Sequence, residues 1–74
     1  MNKKRRKALL ELASKLESCA DDLQALLDEE QEAFDNIPES LQYGDRGSEM
    51  ENAIDMMETA YEQISEAAES LQEL

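Results

Sequence analysis

The stretch FDNIPESLQYGDRG, residues 34–47, contains the only proline and both glycines of the 74-residue chain. It separates two long segments in which apolar residues recur at spacings of three and four, the pattern of an amphipathic helix. Pro38 suits the first turn of a short helix, because its missing N–H would have no partner there. Residues 39–42 complete that turn and Gly44 ends it. The stretch therefore predicts a chain reversal between two helices.

The first helix is predicted over residues 3–34. The a and d positions of its heptad pattern are Leu9, Leu12, Leu16, Cys19, Leu23 and Leu26. Beside this seam runs a second row, Ala13, Ala20, Leu27 and Phe34. The combined stripe is wider than a two-stranded coiled coil needs, which favours a helical bundle. Because Cys19 lies in the seam, we predict that it is a small core residue.

The second helix is predicted over residues 48–74. A capping box marks its start: the Ser48 hydroxyl accepts a hydrogen bond from the Glu51 amide, and the Glu51 carboxylate accepts one from the Ser48 amide. The seam that follows consists of Met50, Ile54, Met57, Tyr61, Ile64, Ala68 and Leu71. Alanines at 53, 60 and 67 flank this seam and would allow a close approach of the two helices.

Residues 1–74 are predicted to form one all-α domain, an antiparallel helical hairpin. Its structured loop, residues 35–47, carries Ile37, Leu41 and Tyr43, which are expected to plug the end of the hairpin. A chain this short buries little core, and its single cysteine cannot form an internal disulfide. Two hairpins are therefore predicted to form a homodimer, an antiparallel four-helix bundle. The core and dimer seam is then Leu9, Leu12, Leu16, Leu23, Leu26, Ile54, Met57, Tyr61, Ile64 and Leu71.

Charge is divided unequally along the chain. Residues 1–15 hold six of the seven bases and one acid, a net charge of +5, whereas residues 16–74 carry −17 and the whole chain −12. The basic run at residues 3–7 is expected to lie near Glu66, Glu69 and Glu73 in an antiparallel hairpin. The acidic body would repel nucleic acid and anionic membranes and would favour a basic protein surface.

The outer side of the second helix is the strongest candidate for partner binding, because its acids are not interleaved with lysine as they are on ordinary solvated helices. The predicted acidic face comprises Asp28, Glu29, Glu51, Asp55, Glu58, Glu62 and Glu66. The wider acidic surface around it adds Asp21 and Asp22 of the first helix and Glu49, Glu69 and Glu73 of the second. The loop residues Ile37, Leu41 and Tyr43 are the alternative binding surface.

Catalysis and cofactor binding are not expected. The chain has no histidine, and no nucleophile–base pair can be drawn from its residues. The loop lacks the spacing of oxygen ligands that an EF-hand calcium site requires. We therefore predict no catalytic, cofactor or metal site. No apolar run approaches the roughly 20 residues of a membrane span, and charges soon interrupt the segment after KKRRK, so we predict a cytoplasmic protein.

The loop and the second helix carry a family resemblance. FDNIPESLQ followed by GSEMENAIDMMETA resembles a group of short acidic proteins of phages and prophages of Gram-positive bacteria. These proteins share an Asn-Ile-Pro-Glu-(Ser or Asn)-Leu-Gln turn between two helices, which here is residues 36–42. The resemblance covers most of the chain and is most specific over residues 34–60. It implies a phage origin, a bacterial host cell and a helical hairpin, but no activity or binding residue.

These observations lead to one functional hypothesis and two alternatives. The first is a non-enzymatic protein-interaction module, a phage-encoded modulator or inhibitor of a host defence protein, that binds a basic surface through its acidic face. One alternative is a DNA mimic that occupies the groove of a nucleic-acid-binding enzyme. The other is a purely structural self-assembly module.

Overall fold

The computed structural model describes all 74 residues as three helices and no strand. Helix α1 spans Lys3–Asn36, the single-turn helix α2 spans Glu39–Gln42, and helix α3 spans Asp45–Gln72. Helices α1 and α3 pack against each other in an antiparallel hairpin, and the molecule measures 58 × 14 × 12 Å. The predicted all-α hairpin is confirmed.

Helix α1 is two residues longer than predicted, and local chemistry explains both of its ends. At the start, the Asn2 Oδ1 accepts a hydrogen bond from the Arg5 amide at 2.7 Å, which satisfies an otherwise unpaired N–H of the first turn. At the end, Ile37 is extended, with φ −78° and ψ 148°. A residue that precedes a proline is disfavoured in the helical region, so the helix continues to Asn36 and stops before Pro38.

The predicted short turn after Pro38 is present as α2. The Pro38 carbonyl accepts hydrogen bonds from the Leu41 amide at 2.8 Å and the Gln42 amide at 3.2 Å. The predicted capping box at Ser48 is wrong, because α3 begins three residues earlier. Gly44 is the N-cap residue, and the Ser48 amide donates to the Gly44 carbonyl at 3.0 Å. An acid in the first turn, Asp45, favours this earlier start through the helix dipole.

The side chain of Gln42 joins the loop to the end of α1. Its Nε2 donates to the Phe34 carbonyl at 3.2 Å and to the Ile37 carbonyl at 3.3 Å. The Phe34 carbonyl also accepts a hydrogen bond from the Ile37 amide at 3.3 Å. The glutamine amide therefore adds a second bond at Phe34 and satisfies the carbonyl of Ile37, the C-cap residue of α1. Gln42 therefore fixes α2 against the C-terminus of α1.

The backbone of Gln42 also lies against Gly47, in the first turn of α3. Gly47 is the only buried residue near the loop. A Cβ atom on Gly47 would lie 2.7 Å from the Gln42 Cα and closer still to its carbonyl carbon and oxygen. No side chain fits in that space, so glycine is required by the close approach of two backbones rather than by its own dihedral angles.

The core is one row of residues on each long helix. On α1 the buried residues are Ala13, Ala20 and Leu27, and on α3 they are Gly47, Ile54 and Ala68. Members of each row are seven or fourteen residues apart, so each row follows one line along its helix. We call these lines the contact rows; Phe34 and Tyr61, both half-buried, complete them. Mostly small residues bring the helix axes close together and leave little core volume.

The contact row of α1 is therefore the second row of the sequence analysis, not the d row of the predicted seam. Leu12 is 47% exposed and Leu26 is 55% exposed. Cys19 is exposed as well, so the prediction that it is a core residue is wrong for the single hairpin. The residues Leu9, Leu16 and Leu23 are half-buried at the edge of the contact. In a stripe this broad, one antiparallel neighbour covers only one side.

The predicted apolar plug is also wrong. Leu41 is exposed and Tyr43 is 84% exposed, while only Ile37 is half-buried. The end of the hairpin is closed instead by Gln42 and by the packing of its backbone against Gly47. Polar backbone groups at a helix end need hydrogen bonds, which an amide supplies and an apolar side chain does not.

The basic N-terminus projects beyond the end of α3. Gln72, the last residue of α3, donates a hydrogen bond from Nε2 to the Glu17 Oε1. Lys7 precedes Glu17 by ten residues in the same helix, which corresponds to about 15 Å. The residues from Lys3 to Lys7 are all exposed. The expected position of this basic run beside Glu66, Glu69 and Glu73 is therefore wrong. Glu66 and Glu69 lie on the other side of the Gln72 contact, and Glu73 is only one residue beyond it.

We predict that Gly47→Ala destabilises the fold, although alanine normally stabilises a helix relative to glycine by about 1 kcal/mol. The added Cβ forces two backbones apart, and we expect a loss of about 2–4 kcal/mol and a midpoint of thermal unfolding at least 10 °C lower. Gly44→Ala is the matched control, because its Cβ would lie 3.4 Å from the nearest atom, the Leu41 carbonyl oxygen. Thermal melts followed by circular dichroism test this; equal stability of the two variants would contradict it.

We predict that Gln42→Glu destabilises the hairpin by about 1–3 kcal/mol. Glutamate has the size of glutamine, but its carboxylate cannot donate to the Phe34 and Ile37 carbonyls and repels them. Urea unfolding measures the change. Gln24→Glu is a suitable control, since the Gln24 amide makes an exposed side-chain hydrogen bond to Asp28. If both substitutions have the same small effect, the Gln42 bridge does not hold the loop.

Candidate interaction surfaces

A simple sequence rule separates the two broad sides of the hairpin. The residue just before each contact-row position is apolar at seven of eight places: Leu12, Cys19, Leu26 and Ala33 on α1, and Ala53, Ala60 and Ala67 on α3, with Arg46 the exception. The residue just after is acidic or serine at all eight: Ser14, Asp21, Asp28 and Asp35, and Ser48, Asp55, Glu62 and Glu69. One residue is a rotation of about 100°. In two antiparallel helices, residues rotated by the same angle away from the contact row lie on the same side of the pair. The hairpin therefore has one apolar and one acidic face.

The apolar face is the side that carries the preceding residues. Its centre on α1 is the exposed d row, Leu12, Cys19, Leu26 and Ala33. Its other members are the half-buried Leu9, Leu16 and Leu23 of α1, with Met50, Ala53, Met57, Ala60, Ile64, Ala67 and Leu71 of α3 and the C-terminal Leu74. The predicted seam residues therefore fall into two groups. Ile54 and Tyr61 belong to the hairpin contact, and the other eight lie on the apolar face.

A single hairpin exposes more surface than a compact protein of the same mass. The hairpin exposes 5714 Å², and only six of 74 residues are buried, none of them a large side chain in full. A compact monomer of 8.4 kDa exposes about 4,600 Å². The excess is about 1,100 Å², and a standard protein interface buries about 800 Å² on each partner. The uncovered surface is thus large enough for one stable interface.

The acidic face is the opposite side, and two shallow grooves between the helices show its composition. One groove is lined by Glu17, Ala20, Asp21, Tyr61, Ser65, Glu69 and Gln72. The other is lined by Gln31, Phe34, Glu51, Ile54, Asp55 and Glu58. Carboxylates from both helices therefore line the same side of the molecule. Arg46 is the only base after residue 15, so the field of this face is negative throughout.

Most of the predicted acidic residues lie together. Glu51, Asp55 and Glu58 line one groove. Glu62 continues the line of Asp55, seven residues further along α3. Glu29 and Glu66 do not belong to this face. Each is two residues from a contact-row residue, a rotation of about 200°, and lies on the outer side of its helix.

Glu17, Asp21 and Glu69 line the other groove of the same face. The sequence analysis included Asp21 and Glu69 in the wider acidic surface but missed Glu17. Glu17 lies three residues before Ala20, and this position pointed to the acidic face only when the contact row was assigned to the line of Ala20 rather than to the d row.

The loop end presents a small apolar patch instead of a plug. Leu41 and Tyr43 expose most of their side chains, and Ile37 is half-buried beside them. Their backbone is held by α2 and by the Gln42 hydrogen bonds. The patch is smaller than the apolar face and lies at one end of the rod, so it remains a secondary candidate for partner binding.

Neither a metal site, nor a membrane-spanning helix, nor a similar known protein was found for this chain. No cluster of three or more cysteine and acidic side chains is arranged to hold a metal ion. None of the helices is both long and apolar enough to span a lipid bilayer. Comparison with protein-family models, with curated proteins and with solved structures finds no match to this chain.

Proposed function

We propose that this chain is a non-enzymatic protein-interaction module whose hairpins pair through the apolar face into a four-helix bundle. The single observation that carries the proposal is the division of the hairpin into one apolar and one acidic face. Burial of apolar surface stabilises an assembly by about 25 cal/mol per Å². Dimerisation would bury the apolar face, which the single hairpin leaves exposed to water. The acidic faces then form the outside of the bundle.

The acidic face is the surface that binds the partner, a basic region of another protein. Carboxylates on rigid helices bind such a surface without a conformational change. The negative electrostatic field of the whole protein also steers the basic partner towards it. The chain carries −17 over residues 16–74, so the attraction is strong at low ionic strength and falls as salt is added.

The concrete form of this proposal is a phage-encoded modulator or inhibitor of a host protein. It is supported by the resemblance of residues 34–60 to acidic phage and prophage proteins and by the net charge of −12. A rod with an acidic face along its length is suited to occupying a basic groove, so the host target is expected to be a protein with such a groove.

We predict that Leu26→Gln weakens dimerisation by at least tenfold. The change places a polar amide at the centre of the apolar face without touching the hairpin contact. Met56→Gln is the matched control, because Met56 is 73% exposed on α3 but lies about 200° from the contact row, outside both faces. Sedimentation equilibrium measures the dissociation constants. A wild-type chain that sediments as a fully helical monomer would disprove the dimer.

We predict that Asp55→Asn, Glu58→Gln and Glu62→Gln together reduce capture of a basic partner from host lysate by at least tenfold at low salt. The control combines Glu11→Gln, Asp22→Asn and Glu29→Gln, which change the net charge equally but lie on the outer side of α1. Quantitative mass spectrometry of the captured proteins, at low and at high salt, compares the two variants.

The same experiment separates the alternatives. A partner that duplex DNA displaces from the acidic face indicates a DNA mimic. Equal loss of capture with both triple variants would show that overall charge, and not the acidic face, determines binding. Capture that survives high salt and is lost with Tyr43→Ser would assign binding to the loop patch.

A further inference from the structure

We infer that the second hairpin packs on the apolar face in the opposite orientation, with the two loops at opposite ends of the bundle. This inference rests on the proposed dimer and adds to it the arrangement of the two chains. It follows from the distribution of charge along the hairpin and from the overhang of α1.

Face-to-face pairing of two hairpins by a two-fold axis allows two arrangements. If the axis runs along the bundle, both loops lie at one end, and α1 faces α3 of the second copy. If the axis is perpendicular to the bundle, the loops lie at opposite ends, and α1 faces α1 of the second copy. Both arrangements bury the same apolar face and keep neighbouring helices antiparallel. Apolar area therefore does not distinguish them, and electrostatics decides.

The two ends of the hairpin carry opposite charge. Residues 1–15 have a net charge of +5, and residues 28–46, around the loop, hold seven acids and one base, a net charge of −6. Loops at the same end would place like charges side by side at both ends of the bundle. Loops at opposite ends place the basic end of each chain beside the acidic end of the other. The second arrangement is favoured at each end.

The overhang of α1 points to the same arrangement. The contact between Gln72 and Glu17 ends α3 short of the basic run, so Lys3–Lys7 extend without acids of α3 beside them. Bases at a helix N-terminus also oppose the helix dipole. In the opposite orientation, the α1 helices run side by side and these residues lie beside the acidic loop end of the second copy. The basic run of each chain is thus neutralised by acids of the other chain.

Distances between spin labels on the two chains test the orientation. In a Cys19→Ser background, Ser40→Cys places one label at the exposed loop of each chain. Opposite orientation predicts a Ser40–Ser40 separation of about 40–60 Å, from the rise of 1.5 Å per residue. Mixing this chain with one labelled through Lys4→Cys should add a Lys4–Ser40 distance within about 25 Å, because packed helices lie 8–10 Å apart. Pulsed electron spin resonance covers both ranges.

Each outcome has a defined meaning. Short Ser40–Ser40 and long Lys4–Ser40 distances in a chain that sediments as a dimer would overturn the orientation and leave the proposed dimer intact. A chain that sediments as a monomer and shows no interchain distance would overturn both.

Charge variants provide a second test whose sign depends on the arrangement. Removing three bases, with Lys3→Gln, Lys4→Gln and Lys7→Gln, should weaken the dimer about tenfold at low salt and much less at 1 M salt. Arg46→Gln, which removes the one base of the loop end, should leave the dimer unchanged or tighten it. With both loops at one end the signs reverse, because the basic runs would then repel each other. That reversal would overturn the inference.

Discussion

The structure depends on the close approach of two backbones, Gly47 of α3 and Gln42 of α2. That contact, with the Gln42 hydrogen bonds to the Phe34 and Ile37 carbonyls at the C-terminus of α1, sets where α3 begins and which of its sides faces α1. Because Gly47 is the first member of the α3 contact row, the same contact directs Ile54 and Ala68 towards α1. A single steric requirement in the loop thus determines the rotation of a 28-residue helix, and with it the separation of the two faces.

Small contact-row residues have a consequence for function. Alanine and glycine let the two helices pack closely, but they bury little apolar area and leave most leucines and methionines of the stripe beside the contact instead of within it. If leucines formed the contact row, most of the apolar stripe would be buried within a single hairpin. The sequence instead keeps its larger apolar side chains, such as Leu12, Leu26 and Met57, on one side where a second chain can cover them.

The sequence predicted the helices and the reversal but not the rotation of the helices about their axes. Heptad periodicity shows that an apolar stripe exists, yet the stripe of α1 has two rows about 100° apart, and each is a plausible contact. Gly47 determines which row makes the contact, because its backbone packs against Gln42 of another helix. Such a contact leaves no pattern in the local sequence. The same reason explains the errors at Cys19 and Ser48. Of the acidic face, the line of Asp55 and Glu62 was found because it is continuous along α3, whereas Glu17 was recognised only from the tertiary contact.

The order apolar, contact, acidic along both helices also decides what a dimer can present. Acids that follow the contact row lie on the side remote from the apolar face, so two chains of net charge −12 can pair while these acids remain on opposite outer surfaces. Across a four-helix bundle that separation exceeds the Debye length of about 8 Å at physiological salt, and the repulsion between the two faces is screened. The proposed dimer therefore presents two equivalent acidic faces, one on each side, and each can engage a basic surface independently. In the proposed dimer, the division of each hairpin into two unlike faces thus places one acidic face on each side of the rod.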